Sequence, residues 1–134
     1  MVVVSDTTTI SNLFVIDKLW ILEELYGEVI IPTGVYEELE SMKNQPSIID
    51  YIKINDWIQT KSVSNNSLTE ILMLTLDKGE SQAISLAKEL NANLIIIDEV
   101  QGRKIAQQMN LNVIGLLGIL IQAKQKNHIR SVTH

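Results

Sequence analysis

The chain has 134 residues, 46% hydrophobic and 20% charged, with no cysteine and a formal net charge of −5. That size suits one domain whose core buries roughly two-thirds of the extended-chain surface, and the composition excludes a disordered chain, a cysteine-stapled secreted scaffold and a basic nucleic-acid-coating protein. No apolar run approaches the ~18 residues of a membrane span, and residues 1–6 lack the basic flank of a signal peptide, so a soluble cytoplasmic protein is expected.

The first strand signal is Val2, Val3 and Val4, ending at Ser5 and Asp6. A short β-branched run without alternation reads as a strand buried on both faces. Helical periodicity follows, with Ile10, Leu13, Phe14 and Ile16 on one face and Leu19, Leu22 and Leu25 on the next, and Gly27 as a C-cap. A second strand over residues 28–31 is stopped by Pro32. Thr33 is the expected cap of a helix over 34–42, and Pro46 opens a short helix carrying Ile48, Ile49 and Ile52. Residues 57–63 alternate as a strand does. A loop and cap at 65–67 leads to a helical face of Leu68, Ile71, Leu72 and Leu76. Gly79 starts a helix with Ala83, Ile84, Ala87 and Leu90 at 3.6-type spacing. Residues 94–97 form the clearest strand, ending at Asp98 and Glu99. A helix over 100–109, a short strand at 113–114 and an apolar helix over 116–124 complete the chain. Alternating strands and helices predict an α/β fold of three layers, a parallel sheet of four or five strands with helices on both faces, in a single domain over residues 1–134.

Four carboxylates occupy unusual places. Asp6 and Asp98 end strands, and in parallel α/β sheets ligands bind at the carboxyl ends of strands. Glu38 shares the stripe of Val35 and Met42, and Glu80 that of Ala83, Ile84 and Ala87. An acid in a buried stripe must be paired, protonated or bound to a cation. Lys78 and Arg103 are the nearby bases. A hard divalent ion such as Mg²⁺ or Mn²⁺ relieves the repulsion among such acids, whereas zinc lacks ligands, since only His128 and His134 are present and cysteine is absent. Each acid alone also fits an ordinary role: strand-end cap, solvated helix face, or helix N-terminal charge. Glu99 is an optional fifth acid. Charge is uneven along the chain. Ten acids and three bases lie in residues 1–60, and five bases with no acid in 100–134, a pattern fitting a metal site beside a phosphate-binding surface as well as solvated helix faces.

These residues resemble a PIN domain. The resemblance rests on residues 6–10, 29–32 with 35–39, 79–84, 94–99 and 113–118, in that order, and runs from about residue 2 to 130. The nearest subgroup is the short prokaryotic PIN-like proteins catalogued as a domain of unknown function and similar to VapC toxins. The resemblance implies that Asp6, Glu38, Glu80 and Asp98 hold Mg²⁺ or Mn²⁺ for hydrolysis of RNA. It also implies that Thr8 orients a carboxylate or a water on the metal, and that the protein is a homodimeric toxin silenced by a small antitoxin protein. Compared with that family the chain is short at its C-terminus, at residues 130–134. Lys78, Arg103 and Lys104 are candidates for phosphate contact, although such bases are more often simply solvated, and Trp20, Tyr36 and Trp57 are candidates for base stacking, although such aromatics more often serve the core.

A rival reading is a PIN-like scaffold weakened in catalysis that serves as a protein- or nucleic-acid-binding module. A receiver domain needs adjacent acids after the first strand, and a haloacid-type phosphatase needs Asp-x-Asp. Ser5-Asp6-Thr7-Thr8 supplies neither.

Overall fold

The computed structural model describes residues 1–42 and 47–126. Pro46, Lys43, His128, His134 and the C-terminal stretch at 130–134 lie outside the described residues. Five strands form one sheet: β1 (Val3–Ser5), β2 (Val29–Pro32), β3 (Ile58–Lys61), β4 (Leu94–Ile96) and β5 (Val113–Ile114). Their order is β3-β2-β1-β4-β5, every neighbouring pair parallel. From β1 the chain builds outward through β2 to β3. It then returns to lay β4 on the other side of β1. The β1–β4 seam is therefore the point where the winding direction reverses, the place where open α/β sheets bind ligands at the strands' carboxyl ends.

Side chains of successive strand residues point to opposite faces, and the core divides accordingly. Val3, Val29, Ile31 and Ile96 pack on one face, with α1 (Thr7–Val15), α2 (Trp20–Tyr26), α3 (Thr33–Glu40), α4 (Ser47–Ile54) and α8 (Leu116–Gln125). Val4, Ile30, Ile95 and Ile97 pack on the other, with α5 (Ser67–Leu72), α6 (Lys78–Glu89) and α7 (Val100–Gln108). Strands buried on both sides explain the unbroken apolar runs in the sequence. Trp57 is buried in the first of these layers, in edge-on contact with Tyr51, and Tyr36 packs against the same layer.

Several local expectations shift. Periodicity places Ile16 on the apolar face of the first helix; it is instead the C-cap of α1 and 48% exposed, because the helix ends there and the chain turns through Asp17 at positive φ. Thr33 is the first residue of α3, not its cap. Pro32 takes the cap position without a side-chain bond, since β2 runs directly into the helix. Ile71 is 63% exposed, because α5 is only six residues long and the stripe does not continue for another turn; Leu76 is buried from the turn that follows. The sixth helix begins at Lys78 rather than Gly79, capped by Asp77. Gly27 does cap its helix, with φ 80.

Candidate active site

Asp6 follows β1 and caps α1. Its Oδ1 accepts the Thr9 N–H at 3.0 Å, and its Oδ2 accepts the Asp98 N–H at 2.9 Å. The register that pairs Ser5 with Ile96 makes this possible, because it brings the ends of β1 and β4 level. The two backbone bonds fix the orientation of the group. Asp98 follows the same seam and accepts the Leu116 N–H at 3.0 Å through Oδ1, which ties it to the start of α8.

Glu38 reaches the seam from α3. Its Oε1 accepts the Thr7 hydroxyl at 2.8 Å. Glu80 reaches it from the first turn of α6, where the Asp77 side chain accepts its backbone N–H at 2.8 Å. The Glu80 side chain is buried, and its Oε2 has no hydrogen-bond partner among the described residues. Glu99 caps α7 without a side-chain bond and is exposed.

Acids dominate the electrostatics of this rim. Burial pushes Asp6 up to about 6 despite the opposing hydrogen bonds from Asp98 and Thr9. Burial likewise pushes Glu80 up to about 7, reinforced by the charges of Asp77, Glu99, Asp6 and Glu38. Among the described residues the single ion pair within 4 Å is Lys78–Glu37, at 3.4 Å and largely exposed. Lys78 is thus directed to Glu37 rather than to the buried acids. The Arg103 guanidinium, half-buried on α7, borders the same space beside Gly115 as Asp98 Oδ1 without closing an ion pair.

Among the described residues no group of three His, Asp or Glu side chains is tight enough, as it stands, to enclose an ion. The donor set is carboxylate oxygen throughout, with a buried unpartnered oxygen on Glu80, and it fits Mg²⁺ or Mn²⁺ rather than a soft metal.

A family model described as DUF3368, PIN domain, matches residues 2–134. The chain belongs to the PIN domain family. Among curated proteins no sequence relative matches. Two solved structures share the fold of this PIN domain. One is a PilT N-terminus domain protein from the hyperthermophilic archaeon Sulfolobus solfataricus P2, with TM-score 0.68 and 22% identity over 92% of this chain and 93% of that one. The other is VapBC2 from Rickettsia felis bound to a DNA fragment from their promoter, with TM-score 0.63 and 17% identity over 86% of this chain and 98% of that one.

Within this PIN domain the four acids expected from the sequence stand on the same rim. Asp6 and Asp98 are joined through a backbone hydrogen bond, and the charges of Asp6 and Glu38 act on Glu80. Three expected residues stand apart from it. Thr8 is half-buried in the first turn of α1 and bonds none of these acids; the hydroxyl that holds a carboxylate is that of Thr7, one residue earlier. Lys104 is exposed on α7, and Lys78 is paired with Glu37. Sequence reasoning does not find two further participants, Thr7 and Asp77. Asp77 is detectable as an N-cap residue three before Glu80. Thr7 carries no distinguishing signal among three consecutive threonines. An open cleft of about 360 Å³ runs beside the rim, lined by Gly34, Glu37, Glu38, Ser41, Asp77, Lys78 and Gly79. No helix among the described residues is long and apolar enough to cross a membrane.

Proposed function

We propose that this PIN domain is a metal-dependent ribonuclease, the toxin half of a toxin–antitoxin pair, working with Mg²⁺ or Mn²⁺. The observation that carries the reading is the pair of buried carboxylates, Asp6 and Glu80, both raised toward neutrality and neither paired with a base among the described residues. Burying uncompensated acids costs stability, and that cost is offset when a divalent cation joins them. Asp6, Glu38, Glu80 and Asp98 would hold the ion. When bound, it lowers the pKa of water and stabilises negative charge on the phosphate.

The chain's own groups do the rest. Backbone N–H donors from Thr9 and Asp98 orient Asp6, and the Leu116 N–H orients Asp98. Thr7 holds Glu38 by its hydroxyl. Glu80, whose buried Oε2 is held by no donor among the described residues, is suited to accept the proton of the attacking water. Arg103 is the base best located to take a phosphate oxygen bidentately. The likeness to VapBC2 supports a small antitoxin as partner, and homodimerisation belongs to the same proposal.

A second reading, the non-catalytic binding scaffold, draws on the spread arrangement of the acids. A panel of single-stranded and structured RNAs incubated with Mg²⁺ or Mn²⁺ separates the two. The nuclease reading expects cleavage that chelator abolishes and that falls at least about a hundredfold in Asp6→Asn and Asp98→Asn. Metal-dependent thermal stabilisation with no cleavage selects the scaffold. Full cleavage by both variants removes these acids from the chemistry.

A further inference from the structure

Three of the six glycines lie against the acids, and none of the three needs glycine's backbone freedom. Gly27 is the only glycine with positive φ among the described residues, which include all six. Gly79 and Gly102 sit in the first turns of α6 and α7, where glycine costs up to about 1 kcal/mol relative to alanine. Gly115 has φ −107 and ψ −176, open to any residue. What these three supply is space. A Cβ on Gly79 would stand 2.5 Å from Glu38 Oε1 and 3.2 Å from Thr7 Oγ1. A Cβ on Gly102 would stand 3.0 Å from Ile97 Cγ2 and 3.3 Å from Glu80 Oε2. A Cβ on Gly115 would stand 3.0 Å from an Arg103 guanidinium nitrogen and 3.1 Å from Asp98 Oδ1. The remaining two, Gly34 and Gly118, face Gln82 and Ile114 instead.

At Gly79 the crowded atom is the tip of a flexible acid, so alanine displaces the carboxylate and leaves the helix standing. At Gly115 the tips of Asp98 and Arg103 are crowded together. At Gly102 the squeeze falls on Ile97 first and Glu80 next, and both must give by a few tenths of an ångström. Displacements of this size matter at a metal site, where supporting groups alter affinity about 10–100-fold.

We propose that Gly79, Gly102 and Gly115 are positioning residues that act through Glu38, Glu80 and Asp98, each leaving the seat into which one carboxylate is set. The inference rests on the metal-dependent reading above. It adds that the ligand geometry is encoded partly in residues with no side chain, on three different elements: α6, α7 and the turn before α8.

Mn²⁺ titration of the full chain, followed by the loss of free-ion paramagnetic signal, tests it alongside melting curves in chelator. Gly79→Ala is expected to weaken Mn²⁺ binding about tenfold or more while leaving the metal-free melting temperature unchanged or raised. A merely structural glycine would do the reverse. In a Glu38→Ala background, Gly79→Ala should have no further effect on binding, since the displaced group is already gone. Gly118→Ala is the control and should lower stability through Ile114 with Mn²⁺ affinity intact. Wild-type protein that takes up no Mn²⁺ overturns the metal reading and this inference with it. Wild-type binding matched by Gly79→Ala, or effects of Gly79→Ala and Glu38→Ala that simply add, overturns the glycine seats alone. If Gly79→Ala fails to fold, Gly115→Ala, outside any helix, carries the same expectation, and wild-type Mn²⁺ affinity in that variant overturns the seats in the same way.

Discussion

The two ends of the sheet make a controlled comparison. Before β1, β2 and β3 lies the larger hollow, about 570 Å³, lined by Met1, Glu23, Tyr26, Gly27, Glu28, Asp56 and Trp57. It carries three acids, Glu23, Glu28 and Asp56, and none of them is buried. After β1 and β4 lies a rim of comparable acidity, but there Asp6 and Glu80 are buried, locked by backbone donors or left with an unpartnered oxygen, and raised to about 6 and about 7. The size of a hollow and the number of its acids do not distinguish the two ends. Desolvation does. An exposed carboxylate is satisfied by water, whereas a buried one retains a demand for a proton or a cation.

The sharpest way to break this contrast is to neutralise one acid at each end. Asp6→Asn is expected to abolish stabilisation by Mn²⁺ in thermal melts, while Glu28→Gln leaves it unchanged; equal effects would dissolve the distinction. The pH dependence of metal-free protein comes next. Asp6 and Glu80 bind protons more tightly folded than unfolded, so their contribution is fully present below about pH 4 and is lost as pH rises through about 6 and 7. In chelator the stability should therefore fall by a few kcal/mol between about pH 4 and pH 8, and saturating Mn²⁺ should reverse the slope. Urea melts at both pH values measure this, and a flat profile in chelator would show that the acids are solvated at both ends.

Smaller effects sharpen the picture. Thr7→Val removes the donor to Glu38 and is expected to cost about 1 kcal/mol in transition-state stabilisation, a roughly five- to tenfold loss in kcat/KM, with Thr7→Ser near wild type. Gly27→Ala, at the opposite end, forces a side chain into φ 80 and should cost about 1 kcal/mol in the melting curve with no change in cleavage.

The fold was legible because its signals are local. Residues 94–97 and 29–31 are apolar without alternation, which only a strand covered on both faces requires, and Gly27 could end a helix because of its own backbone. Expectation and structure part at helix ends such as Ile16 and Ile71, where one more turn is a matter of chain reversal and not of residue type. The acids were legible as misfits: Asp6 and Asp98 by ending strands, Glu38 and Glu80 by interrupting stripes.

The sequence by itself determined the layers, the parallel sheet and which carboxylates lie out of place, since periodicity and burial preference are properties of short segments. Only the tertiary structure decided that β4 lies beside β1, with Ser5 level with Ile96, and so that the Asp98 N–H meets Asp6. It also decided that Thr7 rather than Thr8 faces Glu38, and that Gly79, Gly102 and Gly115 stand under three of the acids. Those hydrogen bonds join residues 31 and 92 positions apart, and a hydrogen bond or a close contact is fixed by packing within a few tenths of an ångström, a precision that no local pattern of residues carries.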